Sequence, residues 1–200
     1  MTTPSVILAS GSATRQSMLR SAGVPFEIDR PDVDEGALKN ECRARGLSVA
    51  QTAEALALAK AKQIVPRHPG RIVLGGDQML ECDGEWFDKP VDRAAAGRQL
   101  MKLSGRTHRL HAATVALRDD QVIWRNIDIA ELTIRPITPN FLEAYLDRVG
   151  DAILSSVGGY QVEGLGIQLF SAINGSHFTI LGMALLPLLD FLRAEGVLES

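Results

Sequence analysis

Short apolar runs alternate along this chain with stretches whose apolar residues recur every three or four positions, the signatures of buried strands and of helices with one covered face. Ser5 to Ala9 is a short, mostly apolar run and predicts a buried strand, and Ser12 stands where an N-cap opens a helix that stops at Gly23. Phe26 to Ile28 predicts a second, shorter strand. Ser48 with Gln51 three residues later has the form of a capping box, and the Ala/Leu-rich segment behind it predicts a helix to Val65. Arg71 to Gly76 predicts an apolar strand ending at Asp77-Gln78. Asp92 caps a helix over Ala94 to Leu103 that closes at Ser104-Gly105. From Arg109 to Arg135 the pattern becomes β-rich, with Asp119-Asp120 as the hairpin turn. Thr138 and Pro139 then open a helix that ends at Gly150. The Leu-rich run Phe178 to Leu192 is interrupted by Gly182, Pro187 and Asp190, is too short to span a bilayer, and reads as a strand end followed by a buried helix. Strand and helix in alternation around a hairpin block predict an α/β fold: a mixed twisted sheet flanked by helices, with two lobes around a cleft suiting the order. No repeat and no long linker divides the chain, so residues 1–200 are taken as a single domain.

Composition narrows the function classes. A 46% hydrophobic chain of 200 residues can bury a substantial core. The net charge of −3 argues against a general nucleic-acid binder, because duplex affinity comes largely from Lys and Arg that neutralise phosphates. The two cysteines, Cys42 and Cys82, form neither a disulfide framework nor a close metal-binding pair. With no basic start and apolar stretch of a signal peptide before Ser12, a cytoplasmic protein without membrane attachment is expected.

Three places carry candidate chemistry. Ser10, Ser12 and Arg15 lie where the first strand turns into a helix, and free N–H groups, two hydroxyls and a guanidinium there form an anion site. The blander alternative is that Ser12 only caps the helix and Arg15 is a solvated charge. Asp32, Asp34 and Glu35 cluster after the second strand, where they either supply oxygens to a hard divalent cation or form a solvated turn. Asp77 is placed at the carboxyl end of a strand, where open α/β sheets bind ligands; there it would hold a metal or take a proton from water, and the alternative is a turn residue. Lys60 on the Ala-rich helix and Lys89 before Pro90 are the cationic partners. No Walker loop, nucleophile elbow, Gly-x-Gly-x-x-Gly or His-Glu-x-x-His occurs, and no role is assigned to His68, His108, His111 or His177.

Taken in order, these segments resemble the Maf family of nucleoside triphosphate pyrophosphatases, also called septum formation proteins. Leu8-Ala9-Ser10-Gly11-Ser12 with Arg15 is similar to the family's opening Ser-x-Ser-Pro-x-Arg signature, and Pro31 to Glu35 to its Pro-x-Val/Ile-Asp-Glu element. Lys60-Ala61, Asp77-Gln78, Lys89-Pro90, Ser104-Gly105, Gly159-Tyr160, Glu163 to Gly166, Gly175-Ser176 and Leu181-Gly182 follow in the family's order. The resemblance implies a Maf/ITPase-like fold, a homodimer, and metal-dependent cleavage of a nucleoside triphosphate to the monophosphate and pyrophosphate. It implies Asp77 as the acid that activates water, Glu35 and Asp77 as ligands of magnesium, manganese or cobalt, and Ser10, Ser12, Arg15, Lys60 and Lys89 as the triphosphate's holders. Gln78 and Glu163 resemble the 7-methyl-GTP branch rather than the branch linked to dTTP and UTP, and a carboxylate accepts hydrogen bonds from guanine N1–H and its amino group. Thr14 departs from both branches, in a position usually Arg or aromatic, and Ala13 replaces the usual Pro. Those departures motivate the competing expectations: a dTTP/UTP pyrophosphatase, or a nucleotide-binding regulator of septum formation without catalysis.

Overall fold

The structure, a computed structural model, describes residues 6–199; the predicted strand residue Ser5 lies outside them. The chain forms two compact units, each assembled from separate stretches: residues up to 78, 111–128 and 176 onward make the first, and 79–110 with 129–175 the second. A seven-stranded mixed sheet supplies strands to both, in the order β2-β1-β3-β5-β6-β7 with β4 paired to β3.

In the first unit β1 (Val6–Ala9) lies parallel between β2 (Phe26–Ile28) and β3 (Ile72–Cys82), Val6 facing both Phe26 and Ile72. All four residues of β1 are buried, as expected of a central parallel strand covered on both faces. The chain turns at Ser12 into α1 (Ala13–Ser21), whose Leu19 joins Val6, Leu8, Leu74, Leu188 and Leu192 in one apolar cluster. Leu188 and Leu192 come from α7 (Leu185–Ala194), so residues near the two ends of the chain share this core. α3 (Val49–Ile64) opens on a complete capping box between Ser48 and Gln51. It packs so closely on β3 that a Cβ added to Gly75 would lie 2.1 Å from the Ala57 carbonyl oxygen.

Three expectations are corrected in this unit. β3 does not end at Gly76: it runs on to Cys82, so Asp77 and Gln78 are strand residues rather than a strand terminus. The polar pair looks like an end in sequence, yet Met79, Leu80 and Cys82 beyond it are buried, and β3 turns only at Asp83-Gly84, both at positive φ, to pair with β4 (Glu85–Phe87). The acidic cluster is not only a turn, because Asp34 caps α2 (Glu35–Ala44) and Glu35 occupies its first turn, where an acid suits the helix dipole. The segment after Ser176 is no strand end but a one-turn helix, α6 (His177–Ile180), before α7.

The second unit carries α4 (Arg93–Leu103) and α5 (Pro139–Val149), capped by Asp92 and Thr138. β7 (Phe170–Asn174) pairs antiparallel with β6 (Gln121–Ile134), Glu131 opposite Asn174. β5 (Thr107–Arg118) and β6 are joined by Asp119 and Asp120 with φ of 48° and 65°, the two left-handed residues that a tight hairpin demands. Among the described residues no helix is long and apolar enough to cross a membrane.

Candidate active site

Side chains alternate across a strand, so Gly75 and Asp77 of β3 face one way, toward α3, while Gly76 and Gln78 face the other. The absent side chain of Gly75 lets α3 approach, and that approach brings Lys60, one turn beyond Ala57, onto Asp77. The Lys60 ammonium lies 2.6 Å from Asp77 Oδ1 and 2.7 Å from Glu35 Oε1, so a single cation joins two acids that are far apart in sequence. The Lys60 and Asp77 side chains are nearly enclosed, at 11% and 8% exposure, whereas Glu35 is open at 45%. Burial pushes the Asp77 carboxyl above its ordinary range and the nearby Glu35 adds to this, while Lys60 and Arg15 pull it down.

Arg15 is no solvated surface charge. It is buried, its Nε donates to the Gly182 carbonyl at 2.9 Å and its Nη1 to Ser10 Oγ at 3.4 Å. Two glycines make room for it: a Cβ on Gly76 would stand 3.2 Å from its Nε, and one on Gly182 3.3 Å from its Nη2. Burial lowers the Arg15 pKa, opposed by the negative charge of Asp77 and Glu35. Ser12 caps α1 by accepting the Arg15 N–H at 3.3 Å. Ser10 Oγ accepts from both the Ser12 N–H and Arg15. With its acceptor capacity so used, Ser10 has its proton left to offer, which suits an incoming oxyanion.

Six of the sequence candidates therefore belong to the first unit: Ser10, Ser12 and Arg15 are joined by hydrogen bonds, Glu35, Lys60 and Asp77 by ion pairs, and the two sets are coupled by the attraction between Arg15 and the two acids. Thr14 is half-buried beside Arg15 on α1. Gln78 points away from Asp77, and both hydrogens of its amide are used, on the carbonyls of Thr179 (2.8 Å) and Ile180 (3.1 Å), leaving its oxygen as the group it can offer a ligand. Lys89, exposed in the loop after β4, and Glu163, also exposed, belong to the second unit. Sequence reasoning missed the parts played by Gly182 and by Thr179, which donates to Asp128 while its carbonyl holds Gln78. In sequence Gly182 is a breaker in a Leu-rich run and part of the Leu181-Gly182 pair, with nothing to tie it to Arg15; its φ of 100° and the close approach of the guanidinium are what require glycine there.

The two acids and two cations of this cluster cancel, so its own charge does not offset that of a polyphosphate. Among the described residues no group of three or more His, Cys, Asp or Glu converges as a closed metal cage. The pair Glu35 and Asp77 does fit a hard divalent ion of the magnesium type, which is commonly held by one or two carboxylates and completes its shell with water and phosphate oxygens.

A nucleoside triphosphate pyrophosphatase of Paramagnetospirillum magneticum is 50% identical over 96% of this chain and 99% of its own length. A 7-methyl-GTP pyrophosphatase of Mesorhizobium japonicum is 48% identical over 99% of this chain and the whole of its own. A solved dITP/XTP pyrophosphatase from Mycobacterium abscessus covers 96% of this chain and 94% of its own at 16% identity and a TM-score of 0.43, a likeness too loose to bear on function. The family model described as Maf-like protein matches residues 5–195, and the chain belongs to that family.

Proposed function

We propose that this protein hydrolyses a nucleoside triphosphate at its α-phosphorus, releasing the monophosphate and pyrophosphate, with a divalent metal and with a 7-methylguanine nucleotide as the first substrate to test. The observation that carries the reading is Lys60 held between Asp77 and Glu35 with Arg15 alongside: acids for metal and water, cations for phosphate, in one cluster. Full-length relatives that bear pyrophosphatase names support the reaction class, and the 7-methyl-GTP pyrophosphatases among them support the substrate.

In this reading Asp77 orients water and takes its proton, and burial makes it a stronger base than an ordinary carboxylate. Glu35 and Asp77 hold the cation, which when bound offsets charge on the phosphates and polarises the phosphoryl oxygens. Arg15, Lys60 and Lys89 bind phosphate oxygens, Arg15 with a guanidinium already fixed by Gly182, and Ser10 and Ser12 donate hydroxyl hydrogens. Gln78, through its free carboxamide oxygen, and Glu163 read the base, and Thr14 modulates that choice.

A panel of canonical and modified nucleoside triphosphates, assayed for pyrophosphate release with magnesium, manganese or cobalt, tests the reading. Cleavage of 7-methyl-GTP ahead of dTTP and UTP is expected, and a panel with no cleaved member would sink the proposal. Asp77→Asn is expected to lower kcat by roughly 100-fold or more while nucleotide binding is kept.

A further inference from the structure

We infer that Gln63 is a positioning residue that sets Glu35 against Lys60, and so fixes the distance between the two acids; the inference rests on the reading of those acids as the metal-holding pair. The carboxamide of Gln63 closes a two-bond ring with the backbone of Asp32: its Oε1 accepts the Asp32 N–H at 2.6 Å and its Nε2 donates to the Asp32 carbonyl at 2.9 Å. A side chain thus stands in for a neighbouring strand and leaves the backbone of Asp32 with no freedom to slide along α3. Gln63 follows Lys60 by three residues, so the two project from one face of that helix. The helix thereby takes hold of the acidic segment twice, at the Asp32 backbone through Gln63 and at the Glu35 carboxylate through Lys60.

The rest of the segment is braced in the same direction. At its start the Asp29 N–H donates to the Leu8 carbonyl at 3.2 Å, and the Asp29 carboxylate meets Arg67 at 2.9 Å and His68 at 3.0 Å, both just beyond the end of α3. At its finish Asp34 accepts the Ala37 N–H at 2.9 Å and starts α2 with Glu35 in the first turn. Between these anchors Gln63 gives the backbone of Asp32 a partner from outside the segment. Glu35 itself is half-exposed and reaches Lys60 from a short helix, so its placement depends on where that helix begins.

The test titrates Mn2+ alone into metal-free wild type, Gln63→Met and Lys62→Met, following free Mn2+ by electron paramagnetic resonance. Methionine keeps the length and helix preference of glutamine without its hydrogen bonds, and Lys62→Met is the same change at an exposed neighbour on α3. Gln63→Met is expected to bind Mn2+ roughly 3- to 10-fold more weakly, the worth of one or two modest hydrogen bonds, with Lys62→Met at the wild-type value. In turnover with the best nucleotide of the panel, the Mn2+ concentration for half activation rises by the same factor, while kcat at saturating Mn2+ and the melting temperature stay at wild-type values. Equal Mn2+ affinity in Gln63→Met and wild type overturns the inference and leaves the pyrophosphatase reading standing, as does a kcat that falls at every Mn2+ concentration together with the melting temperature. A wild type that takes up no Mn2+ and cleaves no nucleotide overturns that reading, and this inference with it.

Discussion

Lys60 shows how much one side chain sets in this protein. Its ammonium is the counter-charge of both Asp77 and Glu35, and it is almost fully enclosed. Lys60→Met leaves a buried carboxylate without its closest cation and is expected to lower stability at neutral pH by about 3 kcal/mol, read by urea unfolding. The same substitution has a sharper spectroscopic consequence. Burial raises the Asp77 pKa from an ordinary value of 3.8, and Lys60 opposes that rise. In metal-free protein the Asp77 carboxyl carbon should therefore titrate above 3.8 by nuclear magnetic resonance, and higher still in Lys60→Met. A downward move in the variant would mean that Lys60 does not act on Asp77 as the geometry requires. Arg15, by contrast, reads in sequence as either an anion-site residue or a solvated charge, and only its burial between Gly76 and Gly182 separates the two.

At the scale of elements, legibility followed local chemistry. The capping box at Ser48 and Gln51, the Thr138-Pro139 start of α5 and the Asp119-Asp120 turn were all readable, because each is decided by bonds within four residues. What could not be read depends on partners far along the chain. β3 passes through Asp77 because Lys60 pairs with it there and Arg15 adds a second favourable charge, and α2 forms where polar residues suggest a turn. The candidate site was legible as a set of residue types but not as a geometry, since neither the Gly182 carbonyl under Arg15 nor the amide of Gln78 on the α6 carbonyls has a short-range signal. The packing of α3 on β3 yields the clearest test at this scale. In Gly75→Ala the new methyl carbon would stand 2.1 Å from the Ala57 carbonyl oxygen and 2.9 Å from the Ala61 Cβ, so helix and strand must separate. We expect a loss of about 1–3 kcal/mol from such overpacking, together with a loss of activity larger than the stability change alone explains, because Lys60 rides on the displaced helix. An Ala variant with wild-type stability and kcat would contradict that coupling.

The molecule as a whole carries a pH dependence that has nothing to do with the candidate site. In the second unit His108 is buried, its Nε2 lies 2.6 Å from the Tyr160 hydroxyl, and its Nδ1 is buried without a hydrogen-bond partner. Burial depresses its pKa from 6.5 to about 4. The unfolded chain therefore takes up this proton first as pH falls, so the stability that a neutral His108 allows is present above pH 6.5 and is lost progressively toward pH 4. Between pH 7.5 and 5 the group should cost about 2 kcal/mol, and that increment should be missing from denaturant unfolding of His108→Gln. Chain connectivity sets a second property at this scale. The core of the first unit joins Val6 and Leu8 to Met183, Leu188 and Leu192, so a chain cut after Asn174 loses one wall of that core. Such a fragment is expected to lack a cooperative thermal transition for this unit, and circular dichroism on the truncated chain checks it.

The hydrogen bond from Arg15 to the Gly182 carbonyl joins residues 167 positions apart. During synthesis the guanidinium leaves the ribosome long before its distant partner, so over that interval the growing chain holds an arginine that Gly182 does not yet aim. The binding role proposed for Arg15 thus becomes available only once Gly182 has been made and folded against it, and a product that stops short of that residue is expected to be inert toward nucleotides instead of partially active.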